Sequence, residues 1–159
     1  MSLRIATITF SDTRTEQDDE SGALLRALLA QEGFVLGPHR IVREDADAMA
    51  QAVTELCALS EVAAVVSTGG TGVGPRDQTL SVLEPLFEKP MLGFGETFRR
   101  MSVDEIGPRG MLSNAAAGVR GAVVIFALPG SRGAVRTGAG LIASVLPHVA
   151  RLVSGDTAH

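Results

Sequence analysis

Apolar residues are grouped along the chain in two rhythms. Residues 3–10 are rich in β-branched and apolar side chains and stop at the polar cluster Ser11-Asp12-Thr13-Arg14, which predicts a buried strand ending in a loop. Leucines at 24, 25, 28 and 29 repeat at helical spacing, and Gly33 supplies a residue that tolerates a left-handed C-terminal cap. Residues 34–42 read as a second strand interrupted by Gly37-Pro38. Met49, Val53, Leu56 and Cys57 then share one face of a helix that Asp45 or Asp47 can cap.

The run at 62–67 is apolar on both faces and leads into glycines, as a central parallel strand covered by helices would. Helices are predicted over 78–87, despite Pro85, and over 95–106, while 107–121 is punctuated by glycine and yields no assignment. Residues 122–128 form another apolar strand, and 141–152 an amphipathic last helix with Pro147 as a potential kink. Strand and helix alternate, which predicts right-handed crossovers and a mostly parallel sheet between helical layers. Ligands are then expected at the carboxyl ends of strands, where three loops qualify: 11–14, 68–79 and 129–133.

Composition narrows the choice of chemistry. The 159 residues suit a single domain. A net charge of -4 gives no basic field for nucleic-acid phosphates. Cys57 is the sole cysteine, so no internal disulfide forms, and its place on an apolar helix face reads as core rather than nucleophile. The first residues lack the pattern of a secretory leader, and no apolar run approaches the roughly 20 residues of a membrane-spanning helix, so the expectation is a cytoplasmic protein without a membrane partner. His39, His148 and His159 stand isolated, and no zinc spacing exists.

The loop Ser67-Thr68-Gly69-Gly70-Thr71-Gly72-Val73-Gly74-Pro75-Arg76-Asp77-Gln78-Thr79 suits an anion. Its glycines let backbone N–H groups approach a phosphate, its threonines add donors, and a helix follows. It has neither the Gly-Lys-Ser/Thr ending of a Walker A loop nor the spacing or chain position of a dinucleotide fingerprint, which disfavours a nucleotide-binding oxidoreductase. A glycine-rich turn is the bland alternative. Asp77 either holds Mg²⁺ on nucleotide phosphates or caps the following helix through Thr79, and Asp45 has the same pair of readings at its own helix. Ser11, Asp12 and Arg14 leave the first strand together, with Arg14 matched to phosphate by its planar fork. Pro129-Gly130-Ser131 opens the last helix and offers a second, weaker anion site.

Taken together, SDTRT at 11–15, STGGTGVGPRDQT at 67–79, GFGETFRRMSVDEIGPRGMLSNAAAGVRG at 93–121 and FALPGS at 126–131 resemble the MogA/MoaB family of molybdopterin-binding proteins, over most of the chain. The segment 105–118 is closer to the MoaB branch. The resemblance implies one molybdopterin-binding domain over 1–159, a three-layer α/β/α sandwich that forms a homotrimer or hexamer. It implies that AMP passes from Mg²⁺-ATP to the terminal phosphate of molybdopterin with release of pyrophosphate, before a partner protein inserts the metal. Asp77 and Asp45 would be the catalytic, metal-binding pair. Ser11, Asp12, Arg14, Thr68, Gly69, Gly70, Thr71, Gly72, Arg76, Glu96, Pro129, Gly130 and Ser131 would bind substrate. Two departures stand out: Asn114 where many relatives carry arginine, and Arg132 where some carry proline. A noncatalytic molybdopterin-binding paralogue or carrier is the competing function.

Overall fold

The computed structural model describes residues 2–156. In chain order its elements are β1 (Arg4–Phe10), α1 (Glu20–Gln31), β2 (Val35–Val42), α2 (Ala46–Cys57), β3 (Val62–Thr68), α3 (Thr79–Leu83), β4 (Lys89–Pro90), α4 (Leu92–Ile106), β5 (Ala116–Arg120), β6 (Val123–Leu128) and α5 (Arg132–Val153). Short 3₁₀ turns follow α3 at Glu84–Leu86 and α4 at Pro108–Leu112. The six strands lie in the order β2-β1-β3-β6-β5-β4. The first four of these run parallel, and the β6-β5-β4 end is antiparallel.

Alternation across the sheet builds the two faces. Along β6, Val124, Phe126 and Leu128 join Leu25 and Leu29 of α1, Phe98 of α4 and Ile142 of α5 in one buried cluster. Val123, Ile125 and Ala127 turn the other way, to Met49, Val53 and Leu56 of α2 and Leu83 of α3. The result is the three-layer α/β/α sandwich with a mostly parallel sheet that the alternation predicts. On the α1/α5 face the apolar rows give way to Thr7, Thr9 and Thr68 near the carboxyl ends, all buried. Buried hydroxyls require partners.

Several elements differ from the sequence expectation, each for a packing reason. The helix expected over 78–87 is α-helical only to Leu83, and the Pro85 segment winds as a 3₁₀ turn instead. The unassigned stretch 107–121 contains the strand β5. It is weak in sequence because Gly118 must be small: a Cβ there would lie 2.2 Å from Cγ of Phe87, whose ring covers the strand. The last helix starts at Arg132, nine residues before the expected Leu141, and continues through the exposed Pro147. Its early glycines mask it. Gly138 is one of them, and it lets α5 settle on Leu128, whose side chain would meet an added Cβ at 2.4 Å. Among the described residues no helix is long and apolar enough to cross a membrane.

Candidate functional site

Because β1, β3 and β6 are adjacent and parallel, their carboxyl-terminal loops converge. The meeting point is Gly69. Its N–H donates to Leu128 O at 3.0 Å, and a Cβ built on it would lie 2.6 Å from Phe10 O. Gly130 abuts it from β6's side, with a built Cβ 3.4 Å from Gly69 Cα. Beneath lies a cavity of about 120 Å³ lined by Thr9, Phe10, Ser11, Arg14, Asp19, Ser21, Thr68, Gly69 and Gly130. Ser21 closes one side by donating from Oγ to Gly130 O at 2.6 Å.

The glycine loop is held open by its own side chains. Gly69 and Gly70 adopt φ of 97° and 69°, values that favour glycine. Thr79 donates from Oγ1 to Gly69 O at 2.8 Å and from its backbone N–H to Gly70 O at 2.9 Å. Asp77 accepts from Gly74 N–H at 2.9 Å, and an added Cβ at Gly72 or Gly74 would lie within 2.8 Å of the same carboxylate. Asp77 therefore closes the 74–77 turn. It does not cap α3, whose first flanking residue, Gln78, makes no side-chain cap bond.

Asp45 takes the capping role considered for it: exposed, it accepts from Ala48 N–H at 2.9 Å as the N-cap of α2. The carboxylate that reaches the glycine loop is its neighbour Glu44, whose Oε1 would lie 3.1 Å from a Cβ on Gly70. Glu44 N–H donates to Asp12 Oδ1 at 3.1 Å, and Glu44 O accepts from Gln78 Nε2 at 2.6 Å. Arg76 pairs with Asp12. The ends of β1, β2 and β3 thus bring Asp12, Glu44, Arg76 and Asp77 together. Partial burial, followed by the charges of Asp12 and Asp77, pushes the Glu44 carboxyl above its ordinary range against the opposing pull of Arg76. Asp12 is held lower, chiefly by the Glu44 N–H and then by Arg76. Replacing Asp45 by alanine is expected to cost about 1 kcal/mol of stability through the lost cap, read as a lower urea midpoint, and to leave ligand binding unchanged.

The remaining expected residues fall in three places. Ser11 accepts from the N–H groups of Thr13 and Arg14 at 3.2 and 3.1 Å, which shapes the β1 loop; Arg14 lines the cavity and donates from Nη1 to Asp18 O at 3.2 Å. Thr71 is buried within the glycine loop. Ser131 caps α5 by accepting from Ala134 N–H at 3.2 Å, just after the half-buried Pro129. Arg132, the first residue of that helix, is exposed, with Glu20 3.9 Å away. Glu96 is exposed on α4 and does not line this cavity. Asn114 lies half-buried ahead of β5.

Sequence reasoning missed Glu44, Asp19, Thr9 and Ser21. The signal for Asp19 was its place before a helix with glycine three residues on, and its Oδ1 does accept from Gly22 N–H at 3.0 Å. Cys57 is half-buried at the end of α2, with its thiol pushed up to about 11 by burial, as its reading as core requires. His159 lies outside the described residues.

A family profile described as a probable molybdopterin binding domain matches residues 6–148. Molybdenum cofactor biosynthesis protein B of Bacillus subtilis is 39% identical over 156 residues, 97% of this chain and 92% of that protein. The protein of the same name from Escherichia coli K12 is 42% identical over 134 residues, 84% of this chain and 79% of that one. Among solved structures, the tungsten cofactor synthesizing protein MoaB from Pyrococcus furiosus superposes with a TM-score of 0.87 at 37% identity, covering 96% of this chain and 97% of its own.

Proposed function

This chain belongs to the family of molybdopterin-binding domains, and from that premise we propose that it is an enzyme of molybdenum cofactor biosynthesis that transfers AMP from Mg²⁺-ATP to the terminal phosphate of molybdopterin. In the reaction an oxygen of the pterin phosphate bonds to the α-phosphorus of ATP. The bond from that phosphorus to the bridging oxygen breaks, and pyrophosphate leaves. The observation that carries the reading is the approach of Glu44 and Asp77 to the glycine loop from different strand ends.

The residues perform this by alignment and charge, the main sources of catalysis in phosphoryl-type transfer. The backbone of Gly69 to Gly72 cradles one phosphate, and Arg14 meets a second at the cavity mouth. Among the described residues no three acidic, histidine or cysteine side chains form a metal cage. Mg²⁺ is commonly held by one or two carboxylates together with phosphates and water. Glu44 and Asp77 fit as the hard oxygen donors; the Glu44 carboxyl is raised first by partial burial and then by the charges of Asp12 and Asp77, and a cation would offset the second of these causes. Bound there, Mg²⁺ would neutralise charge on the transferring phosphates. Asp45 is committed to the α2 cap beside Glu44 and stands outside this pair.

Incubating the purified protein with molybdopterin, ATP and Mg²⁺ and following pyrophosphate and adenylylated pterin tests the reading. The engagement of Asp12 by Arg76 and of Asp77 by Gly74 favours a second one, a noncatalytic molybdopterin carrier, because these carboxylates already have partners. Demonstrated pterin binding without pyrophosphate release would select the carrier.

The assembly is proposed to be a homotrimer that delivers its product to a metal-inserting partner. Leu92, Glu96, Arg99, Val103 and Ile106 recur at helical spacing on α4, and Leu92, Val103 and Ile106 are exposed, as are Met111 and Leu112 just beyond. Glu96 would then face a neighbouring subunit. Combining Ile106→Asp with Leu112→Asp is expected to convert trimer to monomer in size-exclusion chromatography with light scattering; an unchanged mass would place the interface elsewhere.

A further inference from the structure

His39 stands on the edge strand β2, apart from the cavity in sequence and outside its lining, yet it is tied to the cavity floor. Its Nε2 lies 2.9 Å from Asp19 Oδ2, and its Nδ1 lies 2.8 Å from Thr7 Oγ1. Arg26 Nη1 donates to Thr7 Oγ1 at 3.0 Å and to Gly37 O at 3.1 Å. The groups facing the imidazole are therefore Asp19 from the turn before α1, Arg26 from α1 and Thr7 from β1. Asp19 is buried and lines the cavity. Besides His39 it accepts from Gly22 N–H and, at 2.8 Å, from the hydroxyl of Thr9.

The direction of each bond follows from the donor inventory. A carboxylate has only acceptors, so the proton between His39 and Asp19 sits on Nε2; a guanidinium has only donors, so Thr7 accepts from Arg26 and keeps its own hydroxyl proton to give to Nδ1. Thr9 spends its one proton on Asp19, and Thr68 Oγ1 in turn donates to Thr9 Oγ1 at 3.5 Å. The side-chain oxygens on the buried floor thus offer lone pairs and no free proton. The exposed mouth, with Arg14, offers donors.

We propose that His39 is a positioning residue for this cavity: by donating to Asp19 it fixes the floor as an acceptor surface, which selects an N–H edge of the ligand and leaves its phosphate to the mouth. The amino and ring N–H groups of a pterin have that chemistry. The inference rests on the reading that the cavity takes molybdopterin.

The test compares wild type, His39→Leu and His39→Gln, each checked for native folding by circular dichroism. Molybdopterin binding is measured directly, and inorganic pyrophosphate serves as the probe of the mouth. His39→Leu should weaken molybdopterin by about 10-fold or more, the scale of a lost hydrogen bond to a charged group. His39→Gln, which keeps a donor within reach of Asp19, should recover most of that loss. Pyrophosphate binding should be the same in all three. In ring ¹⁵N spectra of wild type, His39 should carry its proton on Nε2 and shift on adding molybdopterin, while the exposed His148 stays fixed. Molybdopterin binding by folded His39→Leu at wild-type strength, a glutamine variant as weak as the leucine one, or a proton on Nδ1 overturns the role of His39 and leaves the pocket reading intact. Wild type that fails to bind molybdopterin at all overturns both, and is told apart because no variant is needed to see it.

Discussion

Asp77→Ala is expected to lower the rate of AMP transfer by about 10²–10³-fold, the usual cost of removing one electrostatic contact to a transferring group. The loss should appear in pyrophosphate release at saturating molybdopterin. Asp77 both faces Gly72 of the glycine loop and closes the 74–77 turn, so asparagine, which keeps an acceptor for Gly74, separates the proposed charge role from the structural one. An equally inactive Asp77→Asn assigns the loss to charge; restored activity assigns it to the turn. Glu44→Gln should raise the Mg²⁺ concentration needed for half-maximal rate, because it removes the second carboxylate at the loop.

Stability should move the other way for Glu44. Its carboxyl is raised in the folded protein above the ordinary value of 4.5, so the native state binds a proton that the unfolded chain has released. Stability therefore falls as pH rises from 4.5 through the raised folded value, and remains lower above it. Glutamine lacks this titration. The urea midpoint of Glu44→Gln should fall less across that window than that of wild type, even as its catalysis is impaired. A wild-type midpoint that instead rises through this window by more than the variant's would show that Glu44 is stabilised as a carboxylate, so that neither burial nor the charges of Asp12 and Asp77 dominate its surroundings.

The parts of the fold that were legible in the sequence are those where one requirement dominates. β1, β3 and β6 are covered on both faces, so nearly every position is buried, and the resulting run of apolar and β-branched residues is visible. β5 and the start of α5 answer instead to neighbours distant in sequence: Gly118 to the Phe87 ring, Gly138 to Leu128. A glycine chosen for close packing reads as a turn until its neighbour is known. The site follows the same division. Its loops were legible because glycine and threonine cluster there, and their convergence followed from strand alternation. The choice between Glu44 and Asp45 was hidden, since it depends on the residue at which α2 begins. Asp19 and His39, twenty positions apart, meet only because β2 pairs beside β1.

Gly69→Ala tests the convergence itself and is expected to destabilise the protein by about 2–4 kcal/mol, combining the cost of a side chain at positive φ with that of overpacking. The φ of 97° is one part, and the other is that the new Cβ would lie 2.6 Å from Phe10 O and 3.7 Å from Phe10 C. Those are backbone atoms of a fully flanked strand, so they cannot yield as a flexible side chain would. Relief requires the β3 loop to lift off β1, which also lengthens the bond from Gly69 N–H to Leu128 O and opens the glycine loop proposed to hold a phosphate. For a chain of this size the loss corresponds to a fall of roughly 5–15 °C in Tm, accompanied by loss of molybdopterin binding. Gly133→Ala is the matched control: it lies in the first turn of α5, nothing stands within 4 Å of its added Cβ, and it should be neutral or slightly stabilising. If Gly69→Ala melts with wild type and still binds the pterin, the loop is not clamped between β1 and β6, and phosphate recognition must come from Arg14 and the α5 turn instead.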